Sequence, residues 1–134
     1  MEASFRKSFS SLDAMFAFVG TGLDELHISS DASFAAQLAI EELFTNMVKY
    51  GGQSGGEVGI SLQRDDDRLV VVLTDRGDTP FDPTMRPAAD VSLPLAERKV
   101  GGLGIHLVRS LIDRISYSYA DGRHSITLIK NLEP

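Results

Sequence analysis

The sequence predicts an α+β fold for residues 1–134: a single-domain, two-layer sandwich in which three helices cover one face of a mostly antiparallel sheet. Three observations predict this fold. Apolar residues recur at helical spacing in three segments, they alternate with polar residues in several shorter segments, and tight turns such as Asp121-Gly122 join neighbouring strands. The resulting order of strands and helices is typical of helices layered on one side of a sheet.

Three apolar stripes define the helices. The first helix is expected over about residues 11–22, the second over about 31–50, and the third from Ile105 to about residue 113. The second is the longest, and it has two distinct faces. One is an apolar stripe for the core, and the other is a row at four-residue steps that includes Glu42 and Asn46.

The strands follow from alternation of apolar and polar residues. Segments at residues 4–9, 58–62, 115–119 and 125–130 alternate in this way and predict strands with one buried face. The β-branched and leucine run at residues 69–73 is continuous instead, and it predicts a central strand covered on both faces.

Composition limits the classes of function. The chain has 134 residues, no cysteine and a formal net charge of −6. A domain of this length can bury a core without disulfides, and the lack of cysteine fits a reducing cytoplasm. No apolar run approaches the roughly 20 residues of a membrane span. An acidic chain is also poorly suited to binding the phosphate backbone of a nucleic acid. We therefore expect a cytoplasmic protein with no membrane segment and no direct nucleic-acid contact.

Two short motifs contain the residue types that a metal–nucleotide site needs. The single amide oxygen of Asn46 suits Mg²⁺, which keeps several waters and takes other ligands from phosphates. Glu42 lies one turn earlier on the same helix face, unlike its neighbour Glu41. Asp75 follows an apolar strand and offers only acceptors, which suits the exocyclic amine of adenine, while Gly77 allows close backbone approach to the base.

A third motif consists of Gly101, Gly102, Leu103 and Gly104, followed by Ile105. A glycine turn that opens a helix leaves backbone N–H groups at the positive end of the helix dipole, where they hold phosphate well. The same pattern also fits a tight loop before an ordinary core helix. The other two motifs decide in favour of phosphate.

In this order and at these intervals, the three motifs resemble the N, G1 and G2 boxes of the Bergerat-type ATP-binding fold of gyrase, Hsp90, histidine-kinase and MutL ATPases. Within that superfamily the chain most resembles the short RsbW-like anti-sigma-factor serine kinases of bacterial partner-switching systems. Residues 41–46, 75–77 with 80–83, and 101–108 carry the resemblance, which extends over nearly the whole chain.

The resemblance implies a role for each motif. It makes Asn46 the Mg²⁺ ligand and Glu42 the base that orients or deprotonates a substrate serine hydroxyl. Asp75 and Gly77 would bind the adenine of ATP or ADP, and residues 101–105 would hold its phosphates.

Further site residues are expected around these motifs. Residues 85–100 show little periodicity, and so long a segment in a compact domain is usually functional, which favours a lid. Within it, Arg98 and its neighbour Lys99 would neutralise phosphate, contact a protein, or remain solvated. Ser125, or alternatively His124, occupies the region where relatives often have a threonine near the phosphates.

The function implied by the resemblance is that of an ATP- and Mg²⁺-dependent serine-protein kinase and anti-sigma factor. It would sequester a sigma factor or similar regulator and phosphorylate a serine on a STAS-domain anti-anti-sigma antagonist. A homodimer through the N-terminal strand and first helix is also implied. The alternative is a nucleotide-binding anti-sigma or interaction module without kinase activity. Two departures from the family pattern bear on that choice. Met47 stands where relatives often have a small residue, and Tyr50 stands where they often have a histidine.

Overall fold

The computed structural model describes residues 1–50, 56–76 and 101–132. A short 3-10 helix (Phe9–Ser11) precedes the first α-helix. In these ranges the chain forms, in order, β1 (Glu2–Arg6), α1 (Leu12–Glu25), α2 (Ser30–Tyr50), β2 (Glu57–Asp65), β3 (Arg68–Arg76), α3 (Gly101–Leu111), β4 (Arg114–Ala120) and β5 (Arg123–Asn131).

The strands that the structure describes form one five-stranded sheet in the order β1-β2-β3-β5-β4, and every neighbouring pair is antiparallel. The helices pack on one face of this sheet, which confirms the predicted α+β sandwich. Most of the buried core lies between the two layers. It is built from apolar side chains of both layers: Val19, Leu23, Ile40, Leu43, Phe44, Ile60, Leu62, Leu69, Val71, Leu73, Ile126 and Leu128.

The central strand β3 has one fully buried face. Leu69, Val71 and Leu73 are buried under the helices, whereas Val70 and Val72 on the other face are only half-buried. The expectation of cover on both faces was therefore wrong for the described part of the chain. The β-branched run reflects a central position with both edges hydrogen-bonded, and that position favours such residues on either face.

The boundaries of β1 and α1 differ from the predicted ones, because packing outweighed the local sequence signals. β1 ends at Arg6 rather than Phe9, and Phe9 is about half exposed. Ser8 caps the 3-10 turn, so α1 begins at Leu12 and continues to Glu25. The β4–β5 turn follows the prediction, because Asp121 and Gly122 both have the positive φ of a tight hairpin. None of the helices in the described residues combines the length and apolar character needed to cross a membrane.

Candidate nucleotide-binding site

The long helix α2 bears the two residues that are predicted to lie near the metal ion, Glu42 and Asn46. Asn46 is buried, and Glu42 lies one turn earlier and is half-buried. Within the described ranges no hydrogen bond reaches two buried oxygens, Asn46 Oδ1 and Glu42 Oε1, although both residues take part in other interactions. The Thr45 hydroxyl donates to the Glu42 carbonyl at 3.0 Å, within the helix itself. The i,i+4 spacing keeps these two candidate side chains on one face of the helix.

Asp75 lies near the end of β3, on the buried face of the sheet, and is 4% exposed. Its Oδ2 accepts a hydrogen bond from Lys7 Nζ at 3.0 Å, and both side chains are 3% exposed. Its Oδ1 is also buried but receives no hydrogen bond from the described residues. A carboxylate oxygen can only accept, so Oδ1 is suited to an incoming N–H group.

Lys7, the partner of the candidate residue Asp75, was not predicted from the sequence. It follows β1, and its backbone N–H donates to the Gly56 carbonyl at 2.8 Å, which extends the pairing of β1 with β2. The available signal was its position on the same side of β1 as Phe5. A lysine on a buried face needs a counter-charge, because lysine is almost never fully buried unless paired.

His124 lies beside Asp75 on the neighbouring strand. The two residues are register partners in the β3–β5 ladder, and His124 is 3% exposed. The Tyr117 hydroxyl is 2.7 Å from His124 Nδ1, and the ring of Tyr119 packs against the imidazole with centroids 4.8 Å apart. These contacts fix the imidazole on the face of the sheet that also bears Asp75.

Ser125 is on the opposite face of the sheet. It pairs with Thr74 and Ser118, and it is half-buried on the side away from the helices. Because successive strand residues point to opposite faces, His124 and not Ser125 shares the face of Asp75. Of the two alternatives that the sequence left open, His124 is the one that lies on the face of Asp75. The assignment of either residue to the nucleotide stays a prediction.

The glycine-rich segment is helical. α3 includes Gly101, Gly102 and Gly104, so the expectation of a turn with helix only from Ile105 was wrong. Glycine disfavours helix by only about 1 kcal/mol per residue relative to alanine, and packing overrides that cost. α3 contacts α2 and buries Val108 in the core, and Ile112, directly after α3, is buried there as well. α3 ends at Leu111 rather than at residue 113, because the Asp113 N–H donates to the Ile129 carbonyl of β5 at 3.1 Å instead of continuing the helix.

Some predicted residues lie outside the described part of the chain. These are Gly77, Arg98, Lys99 and the expected lid at residues 85–100. The backbone of residues 101–105 is described, but their side chains, including those of Leu103 and Ile105, are not. Their assignment to the nucleotide stays a prediction.

The described residues fit ATP and Mg²⁺. A buried acceptor at Asp75 Oδ1, which receives no hydrogen bond from the described residues, matches an amine of a base, and a buried amide oxygen at Asn46 matches a hydrated divalent cation. The strand bearing Asp75 and the helix bearing Asn46 are in contact, and α2 also contacts α3. The three predicted motifs are therefore on elements that pack together.

This fold, with an acidic residue ending a central strand and an asparagine on the long helix, defines a Bergerat-type ATP-binding domain. The chain belongs to the histidine kinase-like ATPase domain family, whose model matches residues 5–130.

Curated relatives refine the likeness. The chain is 31% identical over 90 residues to a serine-protein kinase RsbW of Halalkalibacterium halodurans, which covers 64% of this chain and 55% of that protein. It is 31% identical over 107 residues to the RsbW of Listeria monocytogenes, covering 71% of this chain and 68% of the relative. The Staphylococcus epidermidis RsbW is 26% identical over 129 residues, covering 91% and 76%. The resemblance to the RsbW-like group is thereby confirmed, although the match spans only about half of the Halalkalibacterium protein.

Solved structures support the fold. A structure of the RsbU and RsbW domains of a Mycobacterium tuberculosis protein matches 100% of this chain and 33% of that chain, with a TM-score of 0.66 at 16% identity. The Acinetobacter baumannii histidine kinase AdeS matches 100% of this chain and 68% of that chain, with a TM-score of 0.53 at 14% identity.

Proposed function

We propose that this chain is an ATP- and Mg²⁺-dependent serine-protein kinase that also acts as an anti-sigma factor in a cytoplasmic partner-switching system. The observation that carries the proposal is the buried acceptor Asp75 Oδ1, which lies on a strand packed against the helix that bears Glu42 and Asn46. The printed names of the relatives, serine-protein kinase RsbW, support phosphotransfer to serine.

Each of these residues has a distinct task in this proposal. Asp75 accepts the exocyclic amine of adenine, and Asn46 Oδ1 contributes one ligand to Mg²⁺, which when bound neutralises charge on the phosphates. Glu42 accepts the proton of the substrate serine hydroxyl. The serine oxygen then forms a bond to the γ-phosphorus, the bond from that phosphorus to the β,γ-bridging oxygen breaks, and ADP leaves.

The proposed partners follow the RsbW-like pattern. The chain would hold a sigma factor or similar regulator in one nucleotide state and phosphorylate a STAS-domain antagonist, which then dissociates. β1 is an edge strand of the sheet that the structure describes, with α1 close to it, and an exposed edge can pair with a second copy. This supports a homodimer through that region, which light scattering of the purified chain would test.

The test of kinase activity is a phosphotransfer assay with matched glutamate variants. Purified chain, γ-³²P-ATP and Mg²⁺ are incubated with each STAS-domain protein of the source genome. We expect Glu42→Ala to bind ATP but to lose at least about 100-fold in phosphotransfer, as removal of a general base does. Glu41→Ala, which alters the adjacent half-buried glutamate, should stay near wild type.

The outcomes separate the two candidate functions. Label on a STAS protein with wild type but not with Glu42→Ala supports the kinase and the assigned base. Equal labelling by both proteins contradicts the role of Glu42. ATP binding with no labelling of any STAS protein contradicts the kinase and favours the nucleotide-binding anti-sigma module.

A further inference from the structure

The two oxygens of the Asp75 carboxylate have different surroundings. Oδ2 accepts from Lys7 Nζ at 3.0 Å, in an ion pair whose side chains are both 3% exposed. Oδ1 is buried and receives no hydrogen bond from the described residues. Holding one oxygen fixes the rotation of the carboxylate plane, so Lys7 also determines where the other oxygen points.

The position of Lys7 is itself fixed by the backbone. Its N–H donates to the Gly56 carbonyl at 2.8 Å, so the strand pairing sets where its side chain starts. Gly56 passes over the pair: a Cβ there would lie 3.5 Å from Lys7 Cε and 3.9 Å from Asp75 Oδ1. The lysine therefore engages Oδ2, and Oδ1 keeps its capacity to accept a hydrogen bond from outside the described residues.

We propose that Lys7 is a positioning residue that orients Asp75 Oδ1 toward the nucleotide base and so makes the site selective for adenine over guanine. The inference rests on the proposed function, in which Asp75 accepts the exocyclic amine of adenine. A fixed, charged acceptor attracts that amine and repels the carbonyl oxygen that guanine presents at the same position. Without Lys7 the buried carboxylate loses its counter-charge and its fixed orientation.

A double-mutant cycle tests this proposal. Calorimetry with Mg²⁺ measures the affinities of ATP and GTP for wild type, Lys7→Met, Asp75→Asn and the double variant. We expect Lys7→Met to weaken ATP binding about tenfold and to lower the ATP-to-GTP preference toward that of Asp75→Asn. Adding Lys7→Met to Asp75→Asn should change ATP affinity less than about twofold, because Lys7 acts through Asp75.

Lys130→Met is the matched control. Lys130 Nζ lies 3.7 Å from Asp113 Oδ2, in an ion pair that is far more exposed than the Lys7–Asp75 pair. The same Nζ donates to the Leu111 carbonyl. This variant should keep the wild-type ATP-to-GTP preference. Thermal unfolding of each variant shows which of them fold.

The possible outcomes distinguish a positioning role of Lys7 from a purely structural role. If Lys7→Met folds and loses affinity for ATP and GTP equally, Lys7 has only a structural role, and this result overturns the proposal. An unchanged or raised ATP affinity overturns it as well. Where Lys7→Met does not fold, the double variant is compared with Asp75→Asn, and a further loss of ATP affinity contradicts action through Asp75. Failure of wild type to bind ATP at all rejects the proposed function instead.

Discussion

His124 lies directly opposite Asp75 across the β3–β5 ladder, on the same buried face of the sheet. Its imidazole is held from the far side by the Tyr117 hydroxyl, 2.7 Å from Nδ1. The end of the sheet under the helices is therefore a polar patch in an otherwise apolar layer. Lys7, Asp75 and His124 form it. Lys7 follows β1, Asp75 lies on β3 and His124 lies on β5, so the three come from distant parts of the sequence.

The placement of His124 leads to a first prediction. His124→Phe keeps a ring but removes both nitrogens beside Asp75, so we expect ATP to bind between about two- and tenfold more weakly, the effect of one altered polar contact. Ser125→Ala, on the opposite face, should change ATP affinity less than twofold. Calorimetry with Mg²⁺ and ATP measures both. A larger loss in Ser125→Ala than in His124→Phe would show that the site lies on the other face.

The choice between these neighbours shows what the sequence could and could not predict. Strand β5 was evident from alternation, and Asp121-Gly122 marked its hairpin because that turn is encoded locally. Which of residues 124 and 125 faces the helices depends on register, and a shift of one residue exchanges the two faces. The core itself fixes that register, through Ile126 and Leu128, which are buried against the helices.

The Lys7–Asp75 pair was beyond sequence reasoning for a related reason. Its partners are 68 residues apart, and β1 and β3 are not hydrogen-bonded to each other but flank β2. Only the full sheet order brings the two side chains together. The helix α2, in contrast, was placed to within a residue, since 21 residues with one apolar stripe and the Ser29 cap specify it locally.

The second prediction concerns the metal. If Asn46 Oδ1 is a Mg²⁺ ligand, wild type should bind ATP more tightly with Mg²⁺ than with EDTA. Asn46→Ala should lose most of that difference, because a small octahedral cation depends on each of its few protein ligands. Thr45→Ala is the control, since in the part of the chain that the structure describes its hydroxyl bonds only within the helix, to the Glu42 carbonyl. Calorimetry in Mg²⁺ and in EDTA gives both affinities, and an equal Mg²⁺ effect in wild type and Asn46→Ala would exclude Asn46 as a ligand.

The third prediction tests the packing of α1 on the sheet, with two glycines on the same helix. Among the described residues, a Cβ at Gly20 would meet only Gln37 Nε2, at 3.9 Å. Gly20→Ala should therefore raise the free energy of unfolding by about 0.5–1 kcal/mol through helix propensity. A Cβ at Gly22 would lie 2.6 Å from Leu62 Cδ1 and 3.1 Å from Met1 Sδ.

Leu62 is buried on β2, so it cannot move aside without disturbing the core, and Gly22→Ala should lower the free energy of unfolding by about 1–3 kcal/mol. Urea unfolding followed by circular dichroism measures both variants against wild type. The opposite signs are the decisive feature, because the two substitutions share helix, residue type and added atom. Stabilisation by both would mean that α1 does not approach β2 as closely as the structure places it, whereas destabilisation by both would point to a contact at Gly20 beyond Gln37.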